Sequence, residues 1–135
     1  MPVKKKRKTQ KQHKDRIDRV FHRYIRLRDV NDQGYGKCIS CSKAIHFDES
    51  DAGHCISRSK LATRWNEDNV NIQCRKCNRF EYGRQLEYSI NIGLDKAEEL
   101  LQLSRSLVKF TDSDFIELYE KFNSKLKELE KKRNF

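Results

Sequence analysis

Apolar residues are scarce in this chain: 36% of its 135 residues are hydrophobic, and a single residue is proline. That length is about one domain, and so small an apolar fraction does not build a large core. No apolar run approaches the roughly 20 residues needed to cross a bilayer, which excludes a membrane span. Nothing reads as a secretory leader, so the five cysteines are expected as thiols or metal ligands in preference to disulfides. Acidic residues are missing from one end. Residues 1 to 28 hold twelve Lys and Arg against two Asp, while the rest of the chain holds eighteen of each, so the whole net charge of +10 resides there.

The first part of that end, residues 1 to 14, reads as a disordered basic arm built on Lys4, Lys5, Lys6, Arg7 and Lys8, a like-charge block that cannot fold alone. Such an arm binds polyanions by releasing their condensed counterions, although a solubilising tail or a nuclear localisation signal has a similar composition. From Asp15 onward Ile17, Val20, Phe21, Tyr24 and Ile25 mark one apolar stripe of a helix, with Arg16, Arg19, Arg23 and Arg26 on the opposite face. His13, His22 and His46 read as surface residues.

What is present in quantity is sulfur at a particular spacing. Cys38-Ile39-Ser40-Cys41 and Cys74-Arg75-Lys76-Cys77 are two Cys-x-x-Cys turns. Each turn delivers two thiolates from one tight loop, and two turns close a tetrahedral zinc site. Zinc would thus supply the order that the small core lacks. Cys55 stands apart from the pairs and reads as a small buried hydrophobe.

Around these turns the pattern is mixed α+β. Short strands are expected over Lys37 to Ile39, Ala44 to Phe47 and Ala52 to Ile56, and the segment Trp65 to Ile72 brings the chain back to a second knuckle that opens into a helix. Trp65 is placed either in the core or on an unpaired base. The domain limits are 15–93 for the zinc-stapled core with its N-terminal helix and 94–135 for a helical extension. Asp112 or Ser113 is the expected cap of the last helix. Its stripe of Phe115, Leu118, Tyr119, Phe122, Leu126 and Leu129 packs either on its own domain or against a second copy, a homodimer contact.

Between the cysteine pairs stand residues suited to phosphodiester hydrolysis, which needs an activated water and neutralised phosphate charge. His54 is the candidate general base, since neutral imidazole takes a proton near pH 7. The Asn69 amide is the candidate to hold its ring. Asp51 and the side-chain oxygen of Asn78 are candidate ligands for a hard divalent ion, magnesium or manganese.

The ordered motifs Cys38 to Cys41, Asp51-Ala52-Gly53-His54, Arg64-Trp65-Asn66-Glu67-Asp68-Asn69 and Gln73-Cys74 to Asn78 resemble the phage NinG/Rap recombination family. More broadly they resemble the zinc-stapled HNH, or ββα-metal, nucleases. The likeness covers roughly Phe21 to Gly93. It implies a structure-specific endonuclease acting on Holliday junctions and D-loops in the bacterial cytoplasm, with His54 as base, Asn69 as the motif's middle asparagine, Asn78 as metal ligand and Glu81 as a further site residue. Gly53 departs from the pattern, because many HNH enzymes put a metal-binding side chain directly before the base.

Arg58, Lys60, Arg64, Arg75, Lys76, Arg79 and Arg84 are the phosphate-contact candidates, positioning branched or duplex DNA without reading bases. The rival expectation is a non-catalytic zinc module that binds DNA as a recombination accessory.

Overall fold

The structure is a computed structural model that describes residues 6–134, so Lys4 and Lys5 of the basic arm lie outside the described residues. Helix α1 runs Gln10–Arg28, five residues longer at its start than expected. The reason is local: Thr9 accepts the backbone N–H of Gln12, and the Gln12 side chain accepts that of Thr9, a capping box that satisfies two free donors. Lys6, Arg7 and Lys8 are exposed ahead of it, with Arg7 paired to Asp112.

An Asn31 side-chain oxygen accepting from Gln33 and Tyr35 turns the chain out of α1. Strands β1 (Tyr35–Lys37) and β2 (Ala44–His46) then pair antiparallel around the first cysteine pair. Strand β3 (Ser50–His54) finds its partner only in β4 (Val70–Cys74), with Ser50 opposite Cys74 and His54 opposite Val70. The long connection contains the four-residue α2 (Leu61–Arg64). The self-contained strand unit expected over residues 37 to 60 is therefore two hairpins, the second closed by a distant strand.

After β4 the chain makes a single π-helical turn, Lys76–Phe80. The knuckle does not open directly into a longer helix, because Tyr82, Gly83 and Arg84 all adopt positive φ. Helices α3 (Gln85–Ile92) and α4 (Leu94–Ser104) follow, broken at Gly93, where φ is +102°. Helix α5 (Asp112–Arg133) is capped by Thr111 with Asp114, one residue before the expected position.

Helices α1 and α5 pack side by side and run parallel: His13 stacks on Phe115 and Phe21 meets Phe122 edge-on. Farther along, Arg23 reaches Glu130. Phe115, Phe122 and Leu126 are buried in this seam, while Leu118, Tyr119 and Leu129 of the same stripe are half-buried. The same seam buries His13, which is only 4% exposed, contrary to its expected surface position. Ile17, Ile25, Trp65 and Val70 complete this core, and Trp65 donates to Asp18 from its indole N–H, which decides for burial over base stacking. A second core of Leu27, Val30, Ile45, Phe47 and Ile72 surrounds the cysteines. Arg28 ties α1 to β4 through the carbonyls of Glu67 and Val70. Among the described residues no helix is long and apolar enough to cross a membrane.

Candidate active site and metal centre

The two Cys-x-x-Cys turns converge. The sulfur atoms of Cys38, Cys41, Cys74 and Cys77 all lie within 4.8 Å of one another, and Cys41 and Cys74 are 3.8 Å apart. Zinc–sulfur bonds of about 2.3 Å imply tetrahedral edges of about 3.8 Å, so four soft donors stand at the spacing zinc requires. Burial and neighbouring sulfurs push the Cys74 and Cys77 thiols up. Burial also opposes ionisation of Cys38, but backbone N–H groups of the knuckles outweigh it and hold that thiol below its usual range. One cysteine is thus set to ionise among reluctant neighbours, a conflict that a divalent cation removes. Cys55 is buried away from this group, its sulfur 3.8 Å from the Ser89 hydroxyl.

Directly beyond Cys77 lies a polar cleft of about 450 Å³, room for a phosphodiester and several waters at about 30 Å³ each. Strand β3 supplies Asp51 and His54, the π turn supplies Asn78 and Arg79, α1 supplies His22 and Arg26, and the loop after β3 supplies Arg58. Asp51 and His54, three apart on one strand, thus line the same cavity.

The His54 ring is held by its Nε2, 2.9 Å from the backbone oxygen of Arg64. A carbonyl only accepts, so Nε2 carries the proton and the lone pair is on Nδ1. Burial, with smaller contributions from His22 and Arg58, pushes the His54 pKa down to about 4 against the opposing pull of the Arg64 carbonyl and Asp18. His22 stands edge-on to it, ring centres 5.7 Å apart. Burial lowers the His22 pKa too, and its Nε2 is buried without a hydrogen-bond partner. Both rings are neutral at pH 7.

Asp51 accepts from the Asn78 amide at 2.9 Å and from Nε and Nη2 of Arg79 at 2.9 Å each. Burial raises its pKa, but these bonds prevail and hold the carboxyl below the usual range. A cation, the Arg79 guanidinium, already rests on both carboxylate oxygens. Oxygen donors of this kind suit a hard ion that keeps most of its waters and takes one or two carboxylates. Among the described residues the cysteines form the one group that brings three or more Cys, His, Asp or Glu ligand atoms together, so Asp51 would be such an ion's single carboxylate. Arg26, Arg58 and Arg79 bring three positive charges to the cleft against Asp51 and against Asp18, which is 3.8 Å from Arg58 and shared with Arg64, an environment for phosphate.

A family model, described as bacteriophage lambda NinG protein, matches residues 2–132. The chain belongs to the NinG family. Membership accounts for nearly its whole length and fits the expected role in phage recombination. No curated protein and no solved structure gives a match.

Several expected site residues of this NinG-family chain stand elsewhere than the motifs implied. Asn69 is fully buried and does not hold the His54 ring. Its amide donates to the carbonyls of Ile56 and Thr63 and accepts from the N–H of Ile56, which pins the loop whose next carbonyl, that of Arg64, holds His54. Glu81 ends the π turn outside the cleft lining. Arg64 is committed to Asp18 at 2.6 Å with its side chain 12% exposed, so it braces the fold and is not free for phosphate. Lys60, Arg75 and Lys76 are exposed, whereas Arg84 is half-buried. Arg75, Lys76 and Arg84 lie toward the cysteine side, apart from the cleft.

Gly53 has a packing reason. A Cβ there would come within 1.8 Å of the Gln73 side-chain oxygen, in the buried layer where Gln73 donates to Ser40 and to the carbonyl of Gly83. His22 and Arg26 were missed. The available signal was their spacing: Asp18, His22 and Arg26 are four residues apart along one face of α1.

Proposed function

We propose that the protein is a divalent-metal-dependent DNA endonuclease of the HNH type that cuts branched recombination intermediates such as Holliday junctions and D-loops. The observation that carries this reading is His54, anchored through Nε2 with Nδ1 free of that bond, beside Asp51, Asn78 and three arginines in one cleft. In this reading the β3–β4 hairpin and the π turn are the ββα-metal core, and the cysteine site is its zinc staple. The β3 strand presents base and carboxylate to the same phosphate.

His54 Nδ1 takes the proton of the attacking water. The imidazolium that forms keeps its Nε2–H on the Arg64 carbonyl, so the ring does not turn away as its charge develops. Arg58, largely exposed, binds the incoming phosphate; Arg26 is fixed by Ser50 and the Phe47 carbonyl and presents a preset positive charge. Arg79, with its side chain 55% exposed, exchanges Asp51 for a phosphate oxygen. A magnesium or manganese ion held by Asp51 and Asn78 would supply charge neutralisation at the phosphate and the leaving oxygen. The basic arm adds sequence-independent affinity, and the setting is a phage-infected bacterial cytoplasm.

A second reading, a non-catalytic zinc module that binds DNA, is favoured by one observation: Arg79 satisfies both oxygens of Asp51. A labelled four-way junction with magnesium or manganese, with and without EDTA, separates the two. The nuclease nicks the junction and EDTA stops it; the binding module gives retarded complexes and no nicks. His54→Ala is expected to lower the cleavage rate by about 10²–10⁴ while the retarded complex persists. Undiminished cutting by that variant would remove His54 as the base.

A further inference from the structure

The segment just past the cleft exposes two aromatic rings that the nuclease reading leaves unused. Phe80 is 76% exposed and Tyr82 94% exposed, although aromatic residues ordinarily bury most of their surface. Phe80 follows Arg79, a cleft residue, so its Cα is about 3.8 Å from that of Arg79. The backbone here is unusual as well. Tyr82, Gly83 and Arg84 have φ of +51°, +80° and +47° in succession, a conformation that non-glycine residues hold only when the surroundings enforce it. The enforcement is visible: the Gly83 carbonyl accepts from the Ser40 hydroxyl and from the Gln73 amide, each at 2.7 Å, and Gly83 itself is buried. The loop is bolted at its base to the layer between the first cysteine turn and β4, and its two rings are held out into solvent.

Charge identifies what these rings meet. Within the segment 75–84 that carries them, Arg75, Lys76 and Arg79 are exposed and Glu81 is the one acid. A protein partner with an apolar surface gains little from that cationic frame, whereas a polynucleotide gains from both parts: its phosphates meet the cations and its base faces stack on the rings. Rings one and three residues past Arg79 would meet bases next to the scissile phosphate, and those are open to stacking only where pairing is interrupted.

We propose that Phe80 and Tyr82 form a stacking wedge that takes an unpaired or splayed nucleobase at the branch point of DNA, and so selects branched over linear substrate. This rests on the nuclease reading and names what recognises its substrate. Binding alone tests it, in EDTA, using a four-way junction with 2-aminopurine at the branch, the same junction with 2-aminopurine in an arm, and a linear duplex. The branch probe is expected to change its fluorescence on binding while the arm probe does not. The double variant Phe80→Ala and Tyr82→Ala is expected to lose that signal and to lower the ratio of junction to duplex affinity roughly tenfold. Tyr82→Phe, which keeps the ring, should keep both. Thermal melting checks that these surface changes leave the fold intact. A double variant with unchanged signal and unchanged affinity ratio overturns the wedge and leaves the nuclease reading standing; failure of the unaltered protein to bind any of the three DNAs overturns both.

Discussion

The cysteine centre and the cleft are neighbours joined by one peptide bond, between Cys77 and Asn78, yet they are ordered in opposite ways. Three of the four cysteines are buried among Leu27, Val30, Ile45, Phe47 and Ile72. The cleft is half-open and held by directed hydrogen bonds: Arg64 carbonyl to His54, Asn78 and Arg79 to Asp51, Ser50 to Arg26. The first is a place where a metal would fasten the fold; the second is a place where the fold presents charges. The cysteine half positions the cleft half, because Asn78 follows Cys77 directly and needs no further burial.

The contrast is broken most severely at the first half. Cys77→Ser removes one of four donors, and structural zinc sites are worth about 10–16 kcal/mol in small domains, comparable to the whole stability of about 5–15 kcal/mol. The expected outcome is loss of the cooperative melting transition by circular dichroism, with zinc absent by elemental analysis. A normal melt without zinc would show that the apolar shell suffices. Gly53→Ala strikes the layer between the halves: its new methyl meets buried Gln73, for an expected cost of about 1–3 kcal/mol in urea unfolding, with zinc content retained. No change in the midpoint would mean that Gln73 repacks freely.

The most gradual effect is a pH dependence from the second half, spread over more than two pH units. His54 has a folded pKa of about 4 against about 6.5 unfolded, so between those values the unfolded state binds the extra proton. Stability from this group is complete above pH 6.5 and falls as pH drops toward 4, by at most about 1.4 kcal/mol per pH unit. The difference in urea stability between the protein and His54→Gln should shrink accordingly over that window; a constant difference would place the His54 pKa near its ordinary value.

The four-cysteine cluster is readable from sequence because its information is local: each Cys-x-x-Cys turn places two donors, and only their convergence has to be supplied by the fold. The cleft was half readable. Asp51, His54 and Asn78 line one cleft, since a short strand and a knuckle hold them. His22 and Arg26 come from a helix far along the chain, and no short-range pattern says that α1 crosses β3. Gly53 looked like a missing ligand, when its meaning depends on where the Gln73 side chain lies. Asn69 looked like a partner for His54 because it is close in the motif; in three dimensions it works one carbonyl removed. Arg64 reads as one more phosphate contact until Asp18 is seen beneath it.

The parallel pairing of α1 with α5 orders events in time. A growing chain presents Phe21 and Ile17 early, but the rings that cover them, Phe122 and Phe115, are about a hundred residues farther on and are synthesised later. Contacts so distant in sequence form late and slowly. Until α5 emerges, the first helix shows an uncovered apolar stripe beside a cationic arm, so a chain halted before residue 112 would carry complete motifs and an exposed core, the state most prone to aggregation.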